Sequence, residues 1–235
     1  MSLTLERLVK SFDSTNLRLD ASTADIRKLC KDAVKHKFAS VMIYPNSVID
    51  AKNFLITQEK NDVKIGTVIG FPSGRFSTAS KVAEIREAAF LAKEVDVVID
   101  YAALNEGYFN NVAHELTALR EVSSEYKLLL KIIVETCYLN ESNKLLALKL
   151  CEDAGVDFIK TSTGFGSAGA QVSDIELWAS NRTTNIEIKA SGGVKTLADA
   201  VKFLNAGATR LGTSNAVQIT EEFLGLKSTG PVGSY

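Results

Sequence analysis

The stretch Ala147-Leu-Lys-Leu-Cys-Glu-Asp-Ala-Gly-Val-Asp-Phe-Ile-Lys160 contains, without a break, the unit from which the fold is predicted. Its apolar residues recur at the spacing of one helix face: Ala147, Leu150, Cys151 and Ala154. Gly155 follows them, as glycine often does where a helix ends. Residues 156–160 are short, apolar and rich in branched side chains, which is typical of a buried strand. The stretch therefore predicts a helix that leads directly into a strand.

The same unit recurs further along the chain. Thr196 can cap a helix whose apolar face is formed by Leu197, Ala200, Val201 and Leu204, and Gly207 ends it. Further apolar runs with branched side chains lie at residues 40–44, 63–69, 95–99, 128–134, 186–189 and 208–211. Together with a short strand near residues 10–13, they make eight strands alternating with helices. This alternation predicts a parallel sheet, either closed as a barrel or open and doubly wound.

An open dinucleotide-binding sheet is expected to carry G-x-G-x-x-G after an early strand. Gly164-Phe-Gly166 begins with that spacing, but the motif is incomplete, late in the chain and without a helix pattern close behind it. We therefore predict an α/β fold with a single (β/α)8 TIM barrel over residues 1–235. A short N-terminal helix precedes the barrel, and a mobile C-terminal tail follows from about residue 226.

Composition excludes several function classes. The 235 residues include 27 Lys and Arg against 28 Asp and Glu, which argues against a cationic nucleic-acid face or a polybasic membrane patch. No apolar run is long enough to span a bilayer. The three cysteines are scattered, which indicates reduced thiols in the cytoplasm and no metal site.

Charged residues interrupt the apolar strands at four places, namely Asp96, Lys131, Lys160 and Lys189. A single lysine at a strand end often only extends to solvent, but four such charges are better explained as one cluster. We expect a solvated, mutually compensating cluster inside the barrel mouth, with Lys160 and Lys189 at the C-terminal tips of their strands. Barrel enzymes place their chemistry at that end.

Two lysines on consecutive strands predict a particular chemistry. Like charges at close range disfavour double protonation, so one amine is expected to be neutral near neutral pH. A neutral amine can attack a carbonyl and form a Schiff base. Asp96 can then accept and return protons directly or through water. Neither a metal nor a cofactor is needed for carbon–carbon bond cleavage or formation by these groups.

A phosphate site is predicted at the same end. Ser191-Gly-Gly-Val194 follows the seventh strand and Gly212-Thr-Ser-Asn215 the eighth. Glycine-rich loops in these two positions often bind phosphate through backbone N–H groups, although such glycines can also serve only as turns.

At these residues the chain resembles the deoxyribose-phosphate aldolases, which are class I (Schiff-base) aldolases. The resemblance covers residues 12–215 and is carried by Glu94-Val-Asp-Val-Val-Ile-Asp100, Phe158-Ile-Lys-Thr-Ser-Thr-Gly-Phe165, Ile188-Lys-Ala-Ser-Gly-Gly-Val-Lys-Thr196 and Arg210-Leu-Gly-Thr-Ser214. It implies reversible cleavage of 2-deoxy-D-ribose 5-phosphate to acetaldehyde and D-glyceraldehyde 3-phosphate in deoxynucleoside breakdown. It also implies a homo-oligomer, a dimer by expectation, whose partners are a phosphorylated sugar and aldehydes.

The resemblance assigns roles by position. Lys160 matches the Schiff-base lysine, Lys189 the lysine that lowers its pKa, and Asp96 the proton-relaying aspartate. The implied substrate and phosphate residues are Asp13, Thr15, Lys131, Gly164, Gly192, Gly193, Lys195, Gly212 and Ser214. Tyr235 matches a C-terminal tyrosine that assists proton transfer in some relatives, although a disordered tail is an alternative for that segment.

Two departures affect substrate contacts rather than the chemistry. The chain reads Asp13-Ser-Thr-Asn-Leu17 where the family often has Asp-His-Thr-Leu-Leu, and Phe165 stands where some members carry lysine. Two other functions stay open. One is another phosphosugar enzyme, such as a transaldolase-like enzyme or an isomerase, and the other is a catalytically silent barrel that binds a phosphorylated sugar.

Overall fold

Eight parallel strands form a closed barrel in the computed structural model, which describes residues 3–59 and 61–226. The strands are Phe12–Asn16 (β1), Ser40–Ile43 (β2), Lys64–Ile69 (β3), Glu94–Val98 (β4), Leu129–Ile133 (β5), Phe158–Lys160 (β6), Glu187–Ser191 (β7) and Arg210–Thr213 (β8). Each strand pairs with the next in the sequence, and β8 pairs with β1 to close the barrel. The predicted (β/α)8 barrel is therefore confirmed.

Helices follow the strands and surround the barrel. They are Leu5–Lys10 (α1), Thr23–His36 (α2), Val48–Leu55 (α3), Thr78–Ala88 (α4), Tyr101–Asn105 (α5), Phe109–Glu125 (α6), Glu141–Asp153 (α7), Val172–Asn181 (α8), Leu197–Ala206 (α9) and Ala216–Phe223 (α10). Short 3-10 turns lie at Pro45–Ser47 and Thr136–Tyr138. None of the described helices is long and apolar enough to cross a membrane. The predicted tail begins at the end of the described residues, and Tyr235 lies outside them.

The helix ends follow from the sequence. Thr196 caps α9 in a reciprocal capping box with Asp199, and Gly207 ends it in the left-handed conformation at φ 119°. Gly155 has φ 68° immediately after α7, so the chain can turn sharply into β6. Both helix–strand units predicted from the sequence are therefore present.

The first strand was placed incorrectly. Lys10 belongs to α1, and β1 begins at Phe12 and extends to Asn16. Ser11 caps the C-terminal end of α1, and its hydroxyl donates a hydrogen bond of 2.6 Å to the carbonyl of Leu8, so the strand can begin only after Ser11. Lys189 also differs from expectation, because it lies in the middle of β7 rather than at its tip.

The apolar core fills the space between the barrel wall and the helices. Outward-facing strand residues such as Val41, Val97 and Ile159 belong to this core. Side chains alternate along a strand, so the residues between them face the barrel interior. There a small apolar group of Leu17, Met42 and Val68 occupies one side, and charged residues occupy the other.

Candidate active site

Three charged side chains meet at one carboxylate oxygen inside the barrel. Lys160 is the last residue of β6 and pairs in register with Lys189 on the neighbouring strand β7. The Lys160 Nζ donates a hydrogen bond of 2.7 Å to Oδ2 of Asp96, and the Lys189 Nζ donates one of 2.6 Å to the same oxygen. The structure thus brings together the three residues to which the sequence assigned the chemistry.

A second set of charges lies next to this group. Asp13 on β1 accepts a hydrogen bond from Lys189 and forms a 2.6 Å ion pair with Arg210 on β8. The Lys131 Nζ lies 3.4 Å from Oδ2 of Asp13 and 3.2 Å from Oδ1 of Asp96. It also lies 2.5 Å from Oε2 of Glu94, which is 3.3 Å from Arg210. The interior thus holds one connected network of ion pairs.

The expectation of a solvated cluster is wrong. Asp13, Asp96, Lys131 and Lys189 are fully buried, and Lys160 is only 3% exposed. The charges are tolerated because carboxylates from distant parts of the chain neutralise them, which a solvated cluster would not need. The network nevertheless contains four cationic groups and three carboxylates, so full ionisation leaves one excess positive charge.

The proton affinities reflect burial and this pairing. The pKa of Lys160 is lowered to about 8, chiefly by burial and also by the charge of Lys189, while Asp96 opposes the shift. Burial disfavours the charged form of Asp96, but Lys131, Lys160 and Lys189 outweigh it and hold that pKa far below its usual value. Burial likewise opposes ionisation of Asp13, yet Arg210 and the two lysines keep its pKa low. Lys160 is therefore a buried lysine that releases its proton closer to neutral pH than an ordinary lysine does.

A cleft of about 570 Å³ opens above Lys160 at the C-terminal end of the strands. Besides Lys160, its lining includes these predicted binding residues: Thr15, Gly164, Gly192, Gly193, Lys195, Gly212 and Ser214. The loops after β6, β7 and β8 contribute most of this lining, so backbone N–H groups of glycine-rich segments line one wall of the cleft.

Asp13 and Lys131, which the resemblance implied as substrate residues, lie within the buried ion-pair network. Both side chains are fully buried, and neither lines the cleft in the described part of the chain. Asp13 is held by Lys189, Arg210 and the Ser40 hydroxyl at 2.7 Å, so its oxygens are already occupied. The structure pairs these two residues as counter-ions within the network, and the substrate-binding role that the resemblance implied for them stays a prediction.

One glycine contact shapes the cleft wall. Gly192 has φ 79°, and a Cβ on Gly169 would lie only 2.3 Å from the Gly192 carbonyl oxygen. The loops after β6 and β7 therefore meet backbone to backbone, which side chains would prevent. The amide of Ala170 donates to this contact, bonding the carbonyls of Ser191 and Gly192 at 3.0 and 3.1 Å.

Glu135 was not predicted as a site residue. It follows β5 in the left-handed conformation at φ 52° and is 1% exposed. Its Oε2 accepts hydrogen bonds from the Thr163 hydroxyl and from the Thr163 amide at 3.1 Å. Burial raises the pKa of Glu135. The only sequence signal is its spacing of four residues from Lys131, which puts both side chains on one face if the predicted strand continues by one residue.

Arg210 and Glu94 were likewise missed as members of the network, because each stands at the start of a strand and is expected to reach solvent. No group of three or more His, Cys, Asp or Glu side chains suited to hold a metal ion is present within residues 3–59 and 61–226. The anionic side chains inside the barrel are instead paired with lysine and arginine.

Comparisons with known proteins agree with this geometry. Residues 8–225 match the family described as DeoC/LacD family aldolase. A deoxyribose-phosphate aldolase from Thermococcus gammatolerans is 41% identical over 215 residues, which cover 91% of this chain and 95% of the relative. One from Brevibacillus brevis is 43% identical over 222 residues, which cover 94% and 97%.

A solved structure described as the unique tetrameric structure of deoxyribose phosphate aldolase from Aeropyrum pernix is also similar. It superposes with a TM-score of 0.86 at 30% identity, covering 94% of this chain and 92% of that one. Family, curated relatives and barrel architecture thus agree over nearly the whole chain. The chain belongs to the DeoC/LacD family of aldolases and is a carbon–carbon lyase.

Proposed function

We propose that this enzyme reversibly cleaves 2-deoxy-D-ribose 5-phosphate to acetaldehyde and D-glyceraldehyde 3-phosphate through a Schiff base on Lys160. The observation that carries the proposal is the position of Lys160. Its amine lies at the base of the cleft, is bonded to Asp96 and has a pKa lowered to about 8. Related proteins named deoxyribose-phosphate aldolase support the choice of substrate.

In the first step the neutral Lys160 amine attacks C1 of the open-chain sugar. A carbinolamine forms and loses water, so the C1–O bond is replaced by a C1=N bond that carries the positive charge. Asp96 accepts the proton that the amine must lose and can return it to the departing hydroxyl, directly or through water. Lys189 keeps Asp96 ionised for this role because it donates to the same oxygen.

The iminium then draws electrons from the C2–C3 bond. The C3 hydroxyl loses its proton, C3 becomes the aldehyde carbon of glyceraldehyde 3-phosphate, and the bonding pair forms an enamine with C2. Protonation of C2 regenerates an iminium, and addition of water releases acetaldehyde and the free Lys160 amine. The protein groups return every proton that they accept, so the reaction balances without an oxidant, a metal or a cofactor.

The phosphate is assigned to the loops after β6, β7 and β8. Gly164, Gly192, Gly193, Gly212 and Ser214 line the cleft there, and α10 begins two residues after Ser214. Backbone N–H groups near a helix N-terminus suit a phosphate, and Lys195 adds a positive charge. Phe165 provides no charge, so the phosphate depends on these groups.

We further propose a cytoplasmic enzyme that works as a homo-oligomer. The three cysteines are unpaired, and burial raises the pKa of Cys30 to about 12, which suits a reducing compartment. The Aeropyrum pernix relative is described as tetrameric, whereas a dimer is the expectation that came with the family resemblance. Light scattering on the purified protein gives the assembly directly.

Trapping the intermediate tests the function. The enzyme is incubated with deoxyribose 5-phosphate and sodium borohydride, digested and analysed by mass spectrometry. We expect a reduced adduct on the peptide that contains Lys160, release of acetaldehyde without borohydride, and loss of both in Lys160→Ala. Lys28→Ala, which alters an exposed lysine, is expected to retain both. An adduct on another peptide, or binding without acetaldehyde release, would contradict the proposal.

A further inference from the structure

Glu94 and Arg210 form the lower part of the ion-pair network. They stand at the starts of β4 and β8, two strands away from β6 on either side. The two side chains are 3.3 Å apart, and the Arg210 guanidinium lies 5.5 Å from the centre of the Phe158 ring. Neither residue is among those that line the cleft in the described part of the chain, so neither is placed to touch a substrate.

Both residues nevertheless belong to the charge balance that contains Lys160. Arg210 binds Asp13, Asp13 binds Lys189, and Lys189 shares the Asp96 oxygen with Lys160. Glu94 enters from the other side through Lys131, which contacts Asp96. Glu94, Asp13, Asp96, Lys131 and Lys189 are buried and the Arg210 side chain is only 13% exposed, so these charges are screened less than surface charges are.

We propose that Glu94 and Arg210 are positioning residues that set the proton affinity of Lys160 from beneath the cleft, in opposite directions. With Lys160 protonated the network has one positive charge in excess, and release of that proton makes it neutral. Removing Arg210 balances the charges while Lys160 is still protonated, so the proton is held more tightly. Removing Glu94 leaves two excess positive charges, so the proton is released more readily. The inference rests on the proposed role of Lys160 as nucleophile.

Other charged groups around Lys160 are the same in all these variants. β1 supplies Asp13, β4 Asp96, β5 Lys131 and β7 Lys189. Two further charged residues, Lys64 at the start of β3 and Glu187 at the start of β7, alternate with inward-facing residues and are exposed at the lower end of the barrel. At the mouth, the buried Glu135 and the exposed Lys195 face the cleft region from the loops after β5 and β7. None of these residues is altered, so a change in the pKa of Lys160 can be assigned to Glu94 and Arg210.

The expected size follows from the strand spacing. Parallel strands lie about 4.8 Å apart, which puts Glu94 and Arg210 each about 10 Å from β6. At an effective dielectric constant of about 20, unit charges at that distance shift a pKa by roughly one unit. The shift is large enough to be measured and small enough to leave the enzyme active.

The experiment compares the wild type with Arg210→Met, Glu94→Gln and the double variant. The dependence of kcat/KM on pH reports the ionisations of the free enzyme. Its acidic limb, the range in which kcat/KM rises with pH, is therefore expected to follow the pKa of Lys160. We expect the limb to move up by about one pH unit in Arg210→Met and down by about one unit in Glu94→Gln. In the double variant the original charge excess returns, and the limb is expected near the wild-type position. A purely structural role would lower activity without these opposite shifts.

Matched controls remove buried or half-buried charges outside the barrel interior. Arg120→Met loses a guanidinium paired with Asp157, and Glu115→Gln loses a carboxylate paired with Lys81. In both control variants the acidic limb of kcat/KM is expected at the same pH as in the wild type. The fluorescence of Trp178 shows whether Arg210→Met folds. If it does not fold, Glu94→Gln alone tests the inference, which requires its acidic limb to move to lower pH. If the acidic limbs of Arg210→Met and Glu94→Gln move in the same direction, or do not move, the inference is wrong. If the wild type forms no borohydride-reduced adduct on Lys160, the proposed function is wrong instead.

Discussion

At the scale of single residues, burial rather than like-charge repulsion is the main cause of the lowered pKa of Lys160. The sequence suggested that Lys189 alone depresses the pKa of Lys160. In the structure burial is the larger cause, and the charge of Lys189 is largely offset by Asp13 and Asp96. With a pKa of about 8, roughly one tenth of the Lys160 side chains are neutral at pH 7. The reaction is therefore expected to accelerate as the pH rises to about 8.

Replacing Lys189 tests how the network sets this value. In Lys189→Met the remaining cations and carboxylates balance with Lys160 protonated, so the pKa of Lys160 is expected to rise above 8. We expect kcat/KM at pH 7 to fall by roughly tenfold or more and the acidic limb to move to higher pH. Steady-state rates across pH 6 to 10 measure both effects. A wild-type rate at neutral pH would exclude a role for Lys189.

Glu135 is expected to act on substrate binding by holding the loop after β6. Its carboxylate accepts both the hydroxyl and the amide of Thr163, next to Gly164 and Gly166 in the cleft wall. Glu135→Ala leaves both buried donors without an acceptor, which costs roughly 1–3 kcal/mol and is expected to raise KM about tenfold or more. In Glu135→Gln one amide oxygen can still accept both donors, so KM is expected to recover. Equal KM values in the two variants would show that the hydrogen bonds do not matter.

Sequence alternation located Asp96, Lys160 and Lys189 but could not show how deeply they lie. Their counter-ions come from far along the chain, since Asp13 and Lys189 are 176 positions apart and Asp13 and Arg210 are 197 apart. Such pairings exist only once the barrel closes β8 against β1. Nothing in the sequence therefore indicated that Asp13, which the resemblance implied as a substrate residue, also pairs with Lys189 and Arg210.

At the scale of elements, predictions were correct where apolar periodicity was strong. The capped helix α9 and the turn from α7 into β6 agree with the residues that predicted them. β1 was misplaced because its inward-facing residues are Asp13 and Thr15, so no apolar run marks it. A strand that lines a charged interior cannot be found by counting apolar residues.

The contact between the loops after β6 and β7 gives a prediction at this scale. A Cβ on Gly192 would lie 2.8 Å from the Cα of Gly169, and its φ of 79° disfavours a side chain. Gly192→Ala is expected to push the loops apart and to raise KM for deoxyribose 5-phosphate by about tenfold, with a smaller effect for unphosphorylated deoxyribose. Gly155→Ala, with φ 68° and open space around it, is the control for backbone strain alone. Equal effects on both substrates would contradict a phosphate-binding loop.

At the scale of the whole molecule, the ion-pair network joins strands from all around the barrel. Asp13 on β1 contacts β2, β5, β7 and β8 through Ser40, Lys131, Lys189 and Arg210, and Asp96 connects β4 to β5, β6 and β7. The charged groups that surround Lys160 therefore also link the strands of the barrel to one another. Chemistry and stability are expected to respond to the same protonation events.

Acid unfolding tests this coupling. The pKa of Asp13 is held well below its usual value in the folded protein, so its stabilising contribution is complete above about pH 4 and is lost as the pH falls further. Asp13→Asn is expected to lower the free energy of unfolding at pH 7 by roughly 3 kcal/mol, because Lys189 and Arg210 lose a buried partner. Below pH 4 it is expected to lose less further stability than the wild type. Urea unfolding followed by the buried Trp178 measures both, and Asp20→Asn, in an exposed ion pair with Arg18, is the control. Parallel pH dependences for Asp13→Asn and the wild type would show that Asp13 does not link protonation to the stability of the barrel.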